Sequence, residues 1–234
     1  MTSNDKNFTQ SYAILNFYKR LEPDFGLPDN IKIMNPFKDP VAWELVSKFY
    51  NKFYNDKHPR ILIFGINPGR FGGGITGIPF TDPIVLQEKC GIQNNLPKKS
   101  ELSAGFIYKM IDEYGGAQKF YSDFFITALS PLGFTRDEIN LNYYDDKELL
   151  KSSTHFITES INTQLQSFNT TNEICYCLGE GTNFKVFSKL NKEHRFFKNI
   201  IPLPHPRWIM QYRRKRVDEF VEVYLEKLRV SPLN

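Results

Sequence analysis

The sequence predicts an α/β fold in one domain spanning residues 1–234: three layers, with helices on both faces of a central four-stranded parallel sheet. Three observations predict it. Apolar, β-branched runs at 61–66, 121–129, 173–178 and 199–203 read as strands buried on both faces. Helical patterns separate these runs, as right-handed parallel crossovers require. The first and third runs break directly into glycine-rich turns, which places ligand-binding loops at the carboxyl edge of such a sheet.

In chain order, residues 1–7 are polar and read as a frayed end. Phe8 to Leu21 is helical, with a stripe of Phe8, Tyr12, Leu15 and Tyr18. Residues 23–28 form a linker, and 31–34 a short extended piece ending at Asn35-Pro36. Asp39-Pro40 starts a helix, with a capping carboxylate and proline in the first turn. It runs to about Tyr54, with Val41, Leu45, Val46, Phe49 and Phe53 inward. The first strand and its loop follow, and residues 87–99 lack periodicity. Ser100-Glu101-Leu102-Ser103 caps a helix to Tyr114, stopped by Gly115-Gly116. The second strand, 121–129, ends at Ser130-Pro131-Leu132-Gly133, and 146–168 is a long helix. The third strand leads through Gly179-Glu180-Gly181 into a helix containing Phe187 and Leu190, whose N-terminus suits an anion. The fourth ends at Pro204-His205-Pro206. From Gln211 onward Val217, Phe220, Val221, Tyr224, Leu225 and Leu228 share one helical face.

Composition narrows the class. The 21 Phe and 12 Tyr supply a sizeable core. No apolar run approaches the ~18 residues of a membrane span, so no membrane partner is expected. No signal peptide opens the chain. The three cysteines, two in Cys175-Tyr176-Cys177, form neither a disulfide framework nor a metal set; buried reduced thiols in a cytoplasmic protein are expected. A net charge of +4 says little by itself. Its distribution says more. Arg207, Arg213, Arg214, Lys215 and Arg216 lie in a segment without acids, interleaved with Trp208, Ile209, Met210 and Tyr212. Such a segment suits a polyanion that also offers bases.

Parallel topology brings Asn67, Ser130, the Gly179–Gly181 turn and His205 to one sheet edge. In the loop from Gly65 to Phe80, glycines let backbone amides approach a ligand, Phe80 offers a flat apolar face and Asn67 a polar side chain. That set suits a flat polar ring. The glycine spacing fits no dinucleotide fingerprint, and no Gly-Lys-Ser/Thr follows. His205, held between prolines just past a strand, is the functional histidine candidate, ahead of His58, His155 and His194.

Gly65-Ile66-Asn67-Pro68-Gly69, followed by Thr76-Gly77-Ile78-Pro79-Phe80, resembles the first motif of the uracil-DNA glycosylase superfamily. Phe71-Gly72 after that motif and His205-Pro206 late in the chain resemble its single-strand-selective monofunctional group. Asn35-Pro36, Ser100-Glu101-Leu102-Ser103, Pro131-Leu132 and Leu178-Gly179-Glu180-Gly181 agree in order and spacing, so the likeness spans roughly residues 30 to 225. Two positions depart from the group. Ala128 stands where an Asn usually reads the base edge, and His205-Pro206-Arg207-Trp208 is a shortened histidine loop. The chain therefore looks like a divergent second branch.

The resemblance implies a monofunctional glycosylase, with no lyase activity, metal or cofactor, that hydrolyses the N-glycosidic bond of uracil or 5-hydroxymethyluracil in a nucleotide flipped out of DNA. In that reading Asn67 and His205 are catalytic. Gly65, Ile66, Pro68, Gly69, Phe71, Gly74, Phe80, Ala128 and Ser130 bind the base, with Ser130 the substitute for the missing Asn and the Gly69–Gly74 amides on its carbonyls. Gly179, Gly181, Arg207, Arg213, Arg214 and Lys215 hold DNA, and Trp208, Ile209 or Met210 is the wedge. Single- and double-stranded DNA are the expected partners of a monomer, cytoplasmic and nucleoid-associated. Three alternatives remain open: the same fold acting on deaminated purines such as xanthine, a non-catalytic nucleic-acid-binding protein, and a binder of small nucleotides.

Overall fold

The computed structural model describes residues 8–23 and 25–229. Its first half runs α1 (Gln10–Lys19), β1 (Ile31–Met34), α2 (Pro40–Phe53), β2 (Ile61–Gly65), α3 (Gly73–Thr76), α4 (Pro83–Glu88), α5 (Leu102–Tyr114) and α6 (Ala117–Asp123). Its second half runs β3 (Phe124–Ala128), β4 (Gly133–Arg136), β5 (Ile139–Leu141), α7 (Lys147–Ser167), β6 (Ile174–Leu178), α8 (Thr182–His194), β7 (Asn199–Leu203), α9 (Pro206–Tyr212) and α10 (Val217–Arg229).

β3, β2, β6 and β7 form the parallel four-stranded sheet, in that order. Helices cover both faces. On β6 the Tyr176 hydroxyl donates to the Lys227 carbonyl of α10, while Cys177, one residue on and so on the other face, meets Asn183 of α8. The register pairs Gly65 with Ala128 and Leu178 with Leu203, so the strands end level. The chain leaves β2 toward β3 but leaves β6 toward β7, so the topological switch point lies between β2 and β6.

Asp39 caps α2 as its position predicts, and Asp146 caps α7 in the same way, each accepting two backbone N–H groups. Several expectations are corrected. The buried stripe of α1 is Ile14, Phe17 and Tyr18, whereas Phe8 and Tyr12 stack on each other at the surface. Gln10 and Ser11 are buried too, tied to the 54–58 and 169 backbone and to Asn51, so polar residues share the inward face that hydropathy alone misassigns. Val41 is exposed, as a first-turn residue beside its cap. Residues 121–123 end a helix rather than open a strand. Residues 87 and 88 of the stretch expected to be irregular end α4, which Asp82-Pro83 caps by the same chemistry as Asp39-Pro40. The 1–7 segment lies outside the described residues.

A second, antiparallel sheet of β1, β4 and β5 was not foreseen beyond the extended piece at β1. Its hairpin turns at Asp137-Glu138, both at positive φ (49° and 60°). That conformation is usually marked by Asn-Gly or Asp-Gly, so the turn carries no familiar sign. This sheet brings β5 to the carboxyl edge of the parallel sheet.

Candidate active site

Two connected hollows occupy that edge. An inner pocket is lined by Gly65, Pro68, Gly73, Pro79, Ala128 and Pro131, with apolar support from Tyr18 and Phe37. An outer cleft of about 560 Å³ is walled by residues 140–142 at the end of β5, the start of α8 and the His205 turn. Ile66, Asn67, Gly69, Phe80 and Glu101 line both and form the mouth between them.

Phe80 is held at φ +53°, a conformation bulky residues rarely adopt outside functional sites. Its ring lies over the end of β2. A Cβ at residue 65 would come 3.1 Å from that ring, so glycine there permits the approach. Asn67 is tied at both ends of its amide. Its Oδ1 accepts the Tyr143 N–H (2.9 Å), and its Nδ2 donates to the Leu141 carbonyl (3.0 Å). Buried Tyr143 donates its hydroxyl to Asn183 Oδ1 (2.8 Å), and Asn183 Nδ2 donates to the Leu178 carbonyl (3.1 Å). One hydrogen-bonded chain thus joins the β2 loop, β5, α8 and the end of β6 at the switch point.

His205 caps α9. Its Nδ1 accepts the Arg207 N–H (3.1 Å). A ring that accepts at Nδ1 carries its neutral-form proton on Nε2. Burial, reinforced by the nearby Arg207 charge, pushes its pKa down to about 4. At neutral pH the outer cleft, beside the mouth, therefore holds an uncharged imidazole with a fixed Nε2–H donor, its centroid 6.1 Å from that of Phe80. The Tyr224 hydroxyl anchors the preceding Pro204 carbonyl from α10.

A family model described as the uracil DNA glycosylase superfamily matches residues 51–229. The chain belongs to the uracil DNA glycosylase superfamily. The crystal structure of wild-type Pedobacter heparinus SMUG2 is similar to it, with 43% identity, a TM-score of 0.92, and coverage of 95% of this chain and 97% of that one. No curated protein matches. The enzyme is accordingly a monofunctional DNA glycosylase, a hydrolase of base excision repair that acts on DNA.

The glycosylase brings most of the expected residues together. Gly65, Ile66, Asn67, Pro68, Gly69, Phe80 and Ala128 surround the inner pocket, and Gly179, Gly181, His205, Arg207 and Trp208 line the outer cleft. Others lie elsewhere. The Ser130 hydroxyl is buried in its own turn and donates to the Leu132 carbonyl (2.8 Å), so it does not stand in at the base edge. Phe71 is 42% exposed and lines neither hollow; Arg70 and Lys99 lie over its ring. Gly74 lines neither hollow, and its N–H is taken by the Gly69 carbonyl. The Arg70 N–H is taken by Asn140 Oδ1. The expected row of amides for base carbonyls is therefore partly spent on the loop itself.

The basic segment is not a loop. Pro206 opens α9 with His205 as cap, a start signalled by proline at the first helical position. Helix formation turns Ile209 fully into the core and packs Met210 on it, its methyl facing Gly105, where an added Cβ would lie 3.7 Å away. Neither is a wedge. Trp208 stays 40% exposed, with the Arg213 guanidinium over it at 4.9 Å. Arg213, Arg214 and Lys215 are exposed on the turn that follows, whereas Arg216 pairs with Glu219.

Sequence reasoning passed over Asn140, Leu141 and Tyr143, which reach the site only through the unforeseen hairpin. It also gave Glu101 no role beyond a capping context and a place in the family resemblance, and Glu101 stands at the N-cap of α5 with no side-chain cap bond. Glu101 lines both hollows and a side cleft beyond them. Among the described residues, no three His, Cys, Asp or Glu side chains are grouped to hold a metal ion, and no helix is long and apolar enough to cross a membrane.

Proposed function

We propose that this enzyme excises uracil, and 5-hydroxymethyluracil, from a nucleotide flipped out of single- or double-stranded DNA, working as a monomer. The observation that carries the reading is the neutral, tautomer-fixed His205 in the outer cleft, beside the mouth that Phe80 and Asn67 help to form. In this reading the base stacks on Phe80 inside the inner pocket. The His205 Nε2–H faces the charge that develops on the departing base as the C1′–N bond breaks. A donor fixed before reaction needs no rearrangement at that moment. Asn67 orders the sugar and the attacking water while its amide holds the β5 wall. Gly179, Gly181 and Arg207, with Arg213, Arg214 and Lys215, hold the strand, and Trp208 is the wedge residue.

Ala128 supports a second substrate range. It lines the inner pocket, and its methyl group neither donates nor accepts. A pocket without a fixed amide there leaves no protein group unpaired when a different base enters, so deaminated purines such as xanthine are accepted alongside uracil.

Oligonucleotides carrying uracil, 5-hydroxymethyluracil, xanthine or hypoxanthine, single- and double-stranded, test both readings by abasic-site formation. Uracil excision without strand cleavage is the expected result, with xanthine next. Absence of any abasic product would leave a DNA-binding role and remove the catalytic one.

A further inference from the structure

We propose that Glu101 is the general base of the reaction, taking a proton from the water that attacks C1′; the proposal rests on the glycosylase reading above. A flipped nucleotide puts its base in the inner pocket and its phosphates in the outer cleft, so its sugar lies at the mouth. Of the residues lining both hollows, Ile66, Asn67, Gly69, Phe80 and Glu101, only Glu101 ionises. The polar alternative, Asn67, is an amide engaged at both ends and has no basic site to receive a proton.

The carboxyl is positioned rather than loose. The Glu101 N–H donates to Asp82 Oδ2 (2.8 Å), which fixes the backbone at the start of α5 against the cap of α4. Gly72, at φ +63°, lies under the side chain: a Cβ there would come 2.0 Å from Glu101 Oε2. Any other residue at 72 would displace the carboxyl. The groups around it are Ser103 on its own helix, Asp82 from α4, Arg70 from the β2 loop, and Arg207 and His205 from α9 and its cap. Lys99 lies over Phe71. Burial, the dominant influence, and Asp82 raise the carboxyl's pKa to about 7, against the lowering pull of Ser103 and Arg207. A base poised there suits proton removal at neutral pH.

The step balances. The water oxygen bonds to C1′ as the C1′–N bond breaks, and the bonding pair leaves with the base. One water proton moves to the Glu101 carboxylate and then to solvent. The departing base anion, held by the His205 Nε2–H, takes its proton from solvent. While ionised, Glu101 also places a negative charge beside the sugar as it becomes cationic.

The test is single-turnover uracil excision from about pH 5 to pH 9 by the wild type, Glu101→Gln and Glu101→Asp, with binding to an abasic-site analogue measured in parallel. The wild-type rate rises with pH up to about 7 and then levels. Glu101→Gln loses on the order of 10²–10³-fold at the plateau and loses the rise, with binding little changed. Glu101→Asp, with a shorter but ionisable side chain, keeps the rise at an intermediate rate. A Gln variant as fast as the wild type, or one that keeps the same rise, would overturn the proposal while leaving the glycosylase reading intact. If Gln fails to fold, an Asp variant without the pH rise overturns it equally. A wild type inactive on every uracil substrate overturns the glycosylase reading, and this proposal with it.

Discussion

The inner pocket and the outer cleft share a mouth but are built from different materials. Gly65, Pro68, Pro79, Phe80, Ala128 and Pro131 give the pocket rigid, mostly apolar walls, fixed by an unusual Phe80 backbone and by strand ends in register. Asn142, Glu180, Arg207, Gln211 and Tyr212 give the cleft a polar, side-chain-rich wall carried on helix starts and turns. The contrast separates two tasks. A dry, preformed pocket strengthens each of its few polar groups and suits chemistry. Exposed cations act on phosphate through a solvent-screened field, which suits grip and says little about which base is present.

Substitutions sharpen that contrast in order of size. Asn67→Ala is expected to do the most, because Asn67 both serves the chemistry and ties the hairpin wall to the β2 loop. Removing its amide leaves the Tyr143 N–H and the Leu141 carbonyl without it, which costs about 1–3 kcal/mol of stability. Turnover falls on the order of 10²–10³-fold as well. Thermal melting and single-turnover kinetics read the two effects separately. Unchanged melting would place the hairpin's stability elsewhere.

Ala128→Asn comes next. It restores an amide at the pocket wall without touching the cleft, so the ratio of uracil to xanthine excision rises by roughly 1–3 kcal/mol of discrimination, or about 5- to 150-fold. Competition between the two substrates in one tube measures it. An unchanged ratio would mean that residue 128 does not meet the base edge.

Much of this site was readable in the chain. Asn67 and His205 follow apolar runs, and parallel topology alone brings them to one edge. The strand ends, the capped helix at Asp39 and the Gly179 turn follow from local chemistry that the fold does not override. What escaped depended on pairing across long separations. Asn140, Leu141 and Tyr143 reach Asn67 through a hairpin whose Asp137-Glu138 turn carries none of the usual glycine. Ile209 and Met210 suit a wedge only on a loop; Pro206 starts a helix there, and its period sends them inward. Ser130 shares a strand face with Ala128, but its hydroxyl has a nearer acceptor in Leu132. Alternation predicts facing and cannot predict such local competition.

The smallest effect is expected from the basic turn. Neutralising two of Arg213, Arg214 and Lys215 should flatten the salt dependence of DNA binding by ~0.7–0.9 per lost phosphate contact. The rate at saturating enzyme should stay the same. A fall in that rate would erase the division between pocket and cleft.

His205 tests the central claim most directly, because it lines the outer cleft yet is assigned to chemistry and not to grip. The measurement is single-turnover uracil excision by His205→Ala at saturating enzyme, with binding to the same oligonucleotide measured alongside. The predicted result is a loss on the order of 10²–10³-fold in rate with affinity nearly unchanged. The deficit should be constant across the neutral range, because the wild-type ring, with its pKa near 4, is already uncharged there. A variant that excises uracil at the wild-type rate, or that loses affinity in place of rate, would contradict the account.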